Sequence, residues 1–229
     1  MISVVIPTRN AEHRLAATLT ALVPAVVDGA VREVIVVDCG STDATRAIAD
    51  AAGARLIEAP EGRGVQLQAG AAVARRPWLL FLHADTVLEA DWHDEVAAFI
   101  EHIGTGQRTP AAAAFRFATD GIGLGARVIE WGVGIRCVVC ALPYGDQGLL
   151  ISRQLYDEIG GFKPVPLFED VDIVRRLGRR RLSILRARAT TSAARYQRGY
   201  VRRVLRNWAC FALYYMGVSS ERLEKIYNG

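Results

Sequence analysis

The chain has few cysteines, no long apolar run and no glycine in the turn after its first strand, and each absence excludes something. Four cysteines in 229 residues are too few for a disulfide-stapled scaffold. Cys137 and Cys140 form a C-x-x-C pair, but zinc needs about four ligands, and no second pair or nearby histidine completes a set. At helical spacing the two thiols share one face, and buried free cysteine is the expectation. The longest apolar stretch, Trp208 to Val218, falls short of the ~20 residues that a bilayer span requires. The N-terminus enters an apolar run, Ile2-Ser3-Val4-Val5-Ile6, without a basic leader, so no secretory signal is expected. The expected location is the cytoplasm, with the inner face of the membrane as the alternative.

The composition, 51% hydrophobic and 23% charged, is that of a globular α/β protein and excludes disorder. The formal net charge of +4 is unevenly spread: twelve arginines face the single acid Asp172 between Val171 and Arg206. A solvated helix face accounts for most of these. The sharper reading is attraction to phosphates, an anionic lipid surface or nucleic acid. Nucleic acid is disfavoured, because the basic residues lack interleaved aromatics on a recognisable platform.

The first half alternates strand and helix. Ile2–Ile6, Glu33–Val37, Arg55–Glu58 and Trp78–Leu82 read as strands. A helix capped by Asn10 and carrying Leu15, Leu19 and Leu22 follows the first strand, Ala44–Ala52 the second, with Ser41 or Thr42 as its cap, and Val65–Arg75 the third. Repetition of this unit predicts a mostly parallel sheet with helices on both faces. The second half is less regular: helix over Asp91–Ile103, strand over Ala112–Phe117, a Gly-interrupted apolar segment over Gly121–Cys140, strand over Gly148–Ser152, and a short helix over Arg153–Ile159. A helix from Glu169 to Arg179, a strand at Leu182–Leu185 and a helix over Tyr200–Met216 complete it. No linker or repeat is visible, so 1–229 is read as one domain, with a regular half of about 1–90 and a less regular half of about 91–229.

Ligands of parallel sheets sit at the carboxyl ends of the strands. Three such ends carry polar groups here: Pro7-Thr8-Arg9-Asn10, Asp38-Cys39-Gly40-Ser41-Thr42-Asp43 and His83-Ala84-Asp85. An acid after the second strand, Asp38, suits a ribose or base edge. Nicotinamide and methyl-donor folds put a Gly-rich turn after the first strand, and Pro7-Thr8-Arg9-Asn10-Ala11 has none. A diphosphate would instead be neutralised by a divalent cation held at Asp85. Farther along, Phe168-Glu169-Asp170-Val171-Asp172 places three acids at a helix start. The helix dipole accounts for one of them, and another is placed to accept a proton from an acceptor hydroxyl.

Together "VVIPTRN", "VIVVDCGSTDAT", "EGRGVQLQAGAAVARRPWLLFLHADT" and "GGFKPVPLFEDVDIVRRL" resemble, in order and spacing, the motifs of family 2 glycosyltransferases of the GT-A (Rossmann-like) fold, over roughly residues 2–180. More narrowly, "FLHADT", "LPYGDQGLL" and "NWACFALYYMGVSSERLEKIY" resemble a small bacterial subgroup of radical-SAM/selenodomain-associated transferases. The resemblance implies a hexosyl-type transferase using a UDP- or GDP-linked sugar, with Mn2+ or Mg2+, acting with inversion. It assigns Asp38, Pro7 and Thr8 to the nucleotide pocket, Arg63 to the base and phosphates, Asp85 to the metal, and Asp170 to the general base with Glu169 as runner-up. The acceptor is a small molecule or lipid-linked, the latter implying peripheral membrane contact through the basic stretch and Trp208–Val218; core packing is the other reading of that helix.

Two positions depart from the family pattern. The first acid of its D-x-D motif is His83 here, which either ligates a transition metal, favouring Mn2+, or hydrogen-bonds the ribose or backbone. Ala11 stands where the family often has Glu, with Glu12 beside it. Asp146, Gln147 and Arg195 are softer candidates for the acceptor pocket. Rival readings are a sugar nucleotidyltransferase, disfavoured by the missing Gly-rich phosphate loop, and a nucleotide-sugar-binding protein without turnover.

Overall fold

The computed structural model describes residues 1–106, 111–121, 127, 145–192 and, toward the C-terminus, 209–210, 213–214, 216, 218–220, 222–223 and 226. The apolar run at the N-terminus forms β1 (Ile2–Thr8), buried along almost its whole length because sheet neighbours flank it and helices cover both faces. It is followed by α1 (Glu12–Thr20), α2 (Val23–Val27), β2 (Val31–Asp38), α3 (Thr45–Ala51), β3 (Arg55–Glu58), α4 (Arg63–Val73), β4 (Trp78–Phe81) and β5 (Thr86–Leu88). Then come α5 (Trp92–Gly104), β6 (Ala112–Thr119), a 3-10 turn (Gly145–Gln147), β7 (Leu149–Ser152), α6 (Arg153–Glu158), α7 (Glu169–Leu177), a second 3-10 turn (Arg179–Arg181) and β8 (Leu182–Thr191).

One sheet of eight strands runs in the order β3-β2-β1-β4-β7-β6-β8-β5. The pairs β3–β2, β2–β1, β1–β4 and β6–β8 are parallel; β4–β7, β7–β6 and β8–β5 are antiparallel. The mostly parallel sheet expected from the alternating pattern is therefore present, with an antiparallel insertion at its middle. Against one face pack Leu15 and Leu19 of α1 with Trp92, Val96 and Phe99 of α5. Against the other pack Leu67 and Ala71 of α4, Leu155 and Tyr156 of α6, and Val171 and Ile173 of α7. Trp92 and Phe115 are wholly buried and meet edge to face at 5.9 Å; burial of each such side chain contributes about 2–3 kcal/mol.

Several boundaries differ from the sequence expectation. Strand β5 was not anticipated, since three residues after a turn carry no periodicity. Strand β8 reaches Thr191 rather than Leu185, because its alternating Arg-Ala-Arg-Ala continuation pairs with β6 and β5. Helix α4 starts two residues early, at Arg63. Asn10 is not a cap: its backbone is left-handed (φ 49°), and its Oδ1 accepts the Thr42 N–H at 2.9 Å. Apart from Gly121 and Arg127, the Gly121–Cys140 segment, with the C-x-x-C pair, lies outside the described residues, as does most of the Tyr200–Met216 helix. Of the latter segment, Cys210 is fully buried and the Tyr214 ring lies 5.3 Å from that of Phe168, contacts that belong to core packing.

Candidate active site

The carboxyl ends of β1 and β2 are locked together before any ligand arrives. Gln66 of α4, buried, donates its Nε2 hydrogens to the carbonyls of Thr8 (3.0 Å) and Val37 (2.7 Å). The loops that follow the two strands cap each other's helices. Ser41 Oγ accepts the Asn10 N–H, Thr45 Oγ1 that of Ala11, and Asp43 Oδ2 that of Glu12. In return Glu12 Oε2 accepts the Ala44 N–H and Asn10 Oδ1 that of Thr42. Orphan donors at two helix starts are thereby satisfied largely across the gap, with Asp43 Oδ1 also accepting the Thr45 N–H locally at 3.0 Å, which is why the caps expected at Asn10 and at Ser41 or Thr42 are absent.

Asp38 belongs to the same framework. Its residue is fully buried; Thr8 Oγ1 (3.0 Å) and Ser41 Oγ donate to Oδ1, and the N–H groups of Gly40 (3.1 Å) and Ser41 (2.9 Å) donate to Oδ2. Burial raises the carboxyl pKa, but these hydrogen bonds together outweigh it and leave the pKa below the ordinary value. The carboxylate fixes the turn after β2, its oxygens accepting from Thr8 of β1 and from Gly40 and Ser41 of its own loop. Glu12, beside the departing Ala11, is likewise spent on Ala44.

Above this framework lies an open cleft of about 680 Å³. Pro7, Thr8 and Arg9 from the end of β1 line it, with Arg63 and Gln66 from α4, His83 and Asp85 from the turn after β4, and Glu169 from the start of α7. Its outer wall is the loop Pro164-Val165-Pro166-Leu167. That loop approaches α4 so closely that a Cβ on Gly64 would stand 2.2 Å from the Lys163 carbonyl oxygen. The tight turn at Gly160-Gly161 is tied to α7 by Arg176, which donates to the carbonyls of Ile159 and Gly161 and, twice, to Asp172. Asp172 therefore serves packing, and two acids of the triplet remain for the site.

Those two acids differ in environment. Glu169 is 3% exposed; Arg63 Nη1 lies 3.1 Å from its Oε1. Burial, and then the neighbouring Asp170 charge, outweigh the pull of Arg63 and push the Glu169 carboxyl up to about 7. Asp170 is half-buried and held by backbone: Oδ2 accepts the Gly145 N–H at 2.8 Å and Oδ1 the Val171 N–H at 2.8 Å. It lines a recess beside the cleft, shared with His83, Gly145 and Glu169. Arg63 is half-exposed. Burial disfavours its charge, yet the carboxylates of Glu169, Asp170 and Asp85 hold its pKa above the usual guanidinium value. Carboxylates from two distant stretches of the chain, Asp85 and the adjacent Glu169 and Asp170, thus gather around one guanidinium.

The structure brings Pro7, Thr8, Arg63, His83, Asp85, Glu169 and Asp170 together and sets Asp38 beneath them. Gln147 is 1% exposed and donates Nε2 to the Phe115 carbonyl at 2.9 Å, so it holds the sheet rather than facing a cleft. The backbone carbonyl of Asp146 accepts the Thr86 hydroxyl at 3.5 Å. Arg195 lies outside the described residues. Sequence reasoning missed Gln66; its signal was its place one turn after Arg63 in the Gly-flanked "EGRGVQLQ". Among the described residues no group of three or more His, Cys, Asp or Glu side chains is close enough to hold a metal by itself. No helix among them is long and apolar enough to cross a membrane.

This is the GT-A glycosyltransferase fold, a curled α/β sheet with its open cleft at the strand ends. The chain belongs to the glycosyl transferase family 2, whose family model matches residues 3–134. Over 95 residues, 38% of this chain, it is 37% identical to the glucosyl-3-phosphoglycerate synthase of Mycolicibacterium paratuberculosis, and the match spans 29% of that protein's length. Among solved structures it resembles glucosyl-3-phosphoglycerate synthase from Mycobacterium tuberculosis in complex with Mn2+, UDP and glucosyl-3-phosphoglycerate. The TM-score is 0.58 at 25% identity, over 84% of this chain and 70% of that one. The same enzyme in complex with Mn2+, UDP-glucose and phosphoglyceric acid gives a TM-score of 0.58 at 26% identity, with the same coverage.

Proposed function

We propose that this chain transfers a sugar from a nucleotide-diphosphate sugar, UDP-linked, to an acceptor hydroxyl, with inversion and with Mn2+ or Mg2+ as cofactor. The observation that carries the reading is the gathering of Arg63, Asp85, Glu169 and Asp170 around one rim of a cleft large enough for a nucleotide sugar. The UDP and Mn2+ bound in the similar structures support the donor and the metal. The likeness of "FLHADT" and "LPYGDQGLL" to the radical-SAM-associated subgroup supports a narrower kinship.

A metal fits the donor set as a shared ligand. Asp85, with His83 two residues before it, offers too few donors for a protein cage, which suits a hard cation completed by diphosphate oxygens and water. When bound, the ion neutralises charge on the leaving diphosphate. Arg63 supplies a fixed positive charge beside it. Pro7 and Thr8 form the floor against which the nucleoside lies, on a framework that Asp38 keeps rigid. Asp170, oriented by two backbone N–H groups, takes the proton of the acceptor hydroxyl. The acceptor oxygen forms a bond to the anomeric carbon, and the bond from that carbon to the β-phosphate oxygen breaks. Its electron pair leaves with the nucleoside diphosphate. Attack opposite the leaving group inverts the anomeric centre.

The test is UDP-glucose turnover with Mn2+ in wild type and Asp170→Asn. We expect the variant to bind UDP within about twofold of wild type and to lose about 100-fold or more in kcat, the usual contribution of a positioned base. Full activity in Asp170→Asn overturns the base assignment, and UDP binding without any sugar transfer or hydrolysis identifies a binding protein instead.

A further inference from the structure

A second cleft, of about 500 Å³, opens on the other side of Asp85. It lies at the carboxyl ends of β6 and β8, strands that no nucleotide motif touches, and its register partners Thr119 and Thr191 mark the ends of that parallel pair. Asp85 and Arg14 line both this cleft and the larger one. The two cavities therefore meet where the diphosphate would be held. A transfer reaction needs its acceptor oxygen at the anomeric carbon, next to the diphosphate, and this second cleft is the space that reaches it without overlapping the nucleotide.

Its lining is unlike that of a neutral sugar site. Arg14, Arg127 and Arg188 contribute three guanidinium groups, and Thr190, Thr191 and Ser192 a row of hydroxyls. Three carboxylates line it as well, those of Asp85, Glu89 and Asp120. Asp120 Oδ2 lies 3.4 Å from Arg14 Nη1, so these two pair with each other. Glu89 Oε2 accepts the Arg188 backbone N–H at 3.0 Å, which leaves the Arg188 guanidinium facing the cleft. Thr191 is 2% exposed, and its Oγ1 has no hydrogen-bond partner among the described residues. Buried hydroxyls are rarely left in that state, and beside it the wall carries charged forks suited to carboxylate or phosphate.

We propose that the cleft between Asp85, Arg127, Arg188 and Thr191 is the acceptor site, built for a small anionic acceptor carrying a carboxylate or phosphate. The arginines and hydroxyls hold the anionic end, and the acceptor hydroxyl reaches across Asp85 toward the sugar. This rests on the transferase reading above, and it makes the acceptor a soluble acid rather than a neutral sugar.

The test titrates 3-phosphoglycerate, glycerate and neutral glycerol, as probes, into the protein saturated with UDP and Mn2+. We expect the two anions to bind and glycerol not to. Arg188→Gln and Arg127→Gln should each weaken the anions by about tenfold, the worth of one charge-assisted contact, with UDP affinity and melting temperature close to wild type. Anions binding no better than glycerol, or binding both variants as tightly as wild type, overturn the proposal while leaving the transferase reading intact. Failure of UDP itself to bind with Mn2+ overturns the reading beneath it, and the two failures are thereby distinguished.

Discussion

Arg63 Nη1 lies 3.1 Å from Glu169 Oε1, joining the first residue of α4 to the first residue of α7 across the rim of the cleft. The pair bridges the two chain regions that the proposed reaction needs, the phosphate-facing loop and the acidic helix start. It is also unbalanced. The carboxylate is buried and its neighbour Asp170 repels it, so the guanidinium does not fully compensate for the cost of its charge.

That imbalance gives stability a pH dependence. The Glu169 carboxyl is raised in the folded state to about 7 from 4.5, so the folded protein holds a proton that the unfolded chain has released. The stabilisation is complete below about 4.5 and is lost as the pH rises through 7. Replacing Glu169 with Gln keeps the shape and removes the titration. Thermal melts at pH 5 and pH 8.5 check it: the variant should lose less stability between the two than wild type, and parallel losses would show that Glu169 is not the titrating group.

Asp85 sits in the turn between β4 and β5, half-buried and common to both clefts. As the one carboxylate shared by the two, it should carry the metal dependence of nucleotide binding. Asp85→Asn should abolish the tightening of UDP binding by Mn2+, a loss of more than about tenfold in affinity by calorimetry, with binding in the absence of metal unchanged. Replacing His83 with Ala separates its two readings: a ring that ligates the ion gives wild type tighter UDP binding with Mn2+ than with Mg2+ and the variant none of that preference, whereas a ring that serves hydrogen bonding leaves the two metals ranked alike in both proteins.

Much of this site was legible in the sequence, for a physical reason. The β-branched run at Ile2–Ile6 and the strands at Glu33–Val37 and Trp78–Leu82 carry strong periodicity, and parallel topology then forces their carboxyl ends to one edge. Asp85, Arg63 and Asp170 follow from that convergence and from motif spacing. How Asp38 is held was not legible, because a carboxylate after a strand looks the same whether it faces a ligand or its own loop; in the structure four hydrogen bonds from Thr8, Gly40 and Ser41 hold it. The reciprocal capping of α1 and α3 escaped for a similar reason, since caps are read locally and these cross about thirty residues of chain. The second cleft depends on β8 running on to Thr191, beyond where its apolar signal stops at Leu185.

If Asp38 works by holding its loop, its loss is a loss of stability before it is a loss of substrate. Asp38→Asn keeps the size but removes the charge that four donors address, and should cost about 2–3 kcal/mol, the worth of hydrogen bonds to a buried charged acceptor. The sign with pH is opposite to that at Glu169. A carboxyl held below 3.8 in the folded state contributes stability above that value and loses it as the pH falls through its lowered pKa. Denaturant titrations from pH 7 to pH 2.5 should therefore show a shallower acid limb in the variant. An Asp38→Asn protein as stable as wild type but deficient in UDP binding would return Asp38 to the nucleotide pocket.

The last prediction concerns Gly145, where a missing side chain sets the geometry. A Cβ there would stand 2.6 Å from His83 Nε2 and 3.5 Å from Asp170 Oδ2, while the Gly145 N–H is what orients Asp170. The backbone at Gly145 is not left-handed, so alanine brings no dihedral strain, and the nearest group in its path is the tip of a side chain that can swing away. The fold should survive Gly145→Ala with a melting temperature near wild type. The imidazole must move, however, and a displacement of about 1 Å among reacting groups can cost about 100-fold in rate. Steady-state kinetics with UDP-glucose should therefore show a fall in kcat of that order with little change in UDP affinity. Wild-type turnover in this variant would mean that His83 and Asp170 do not flank the reacting centre, and the assignment of the recess to catalysis would fall with it.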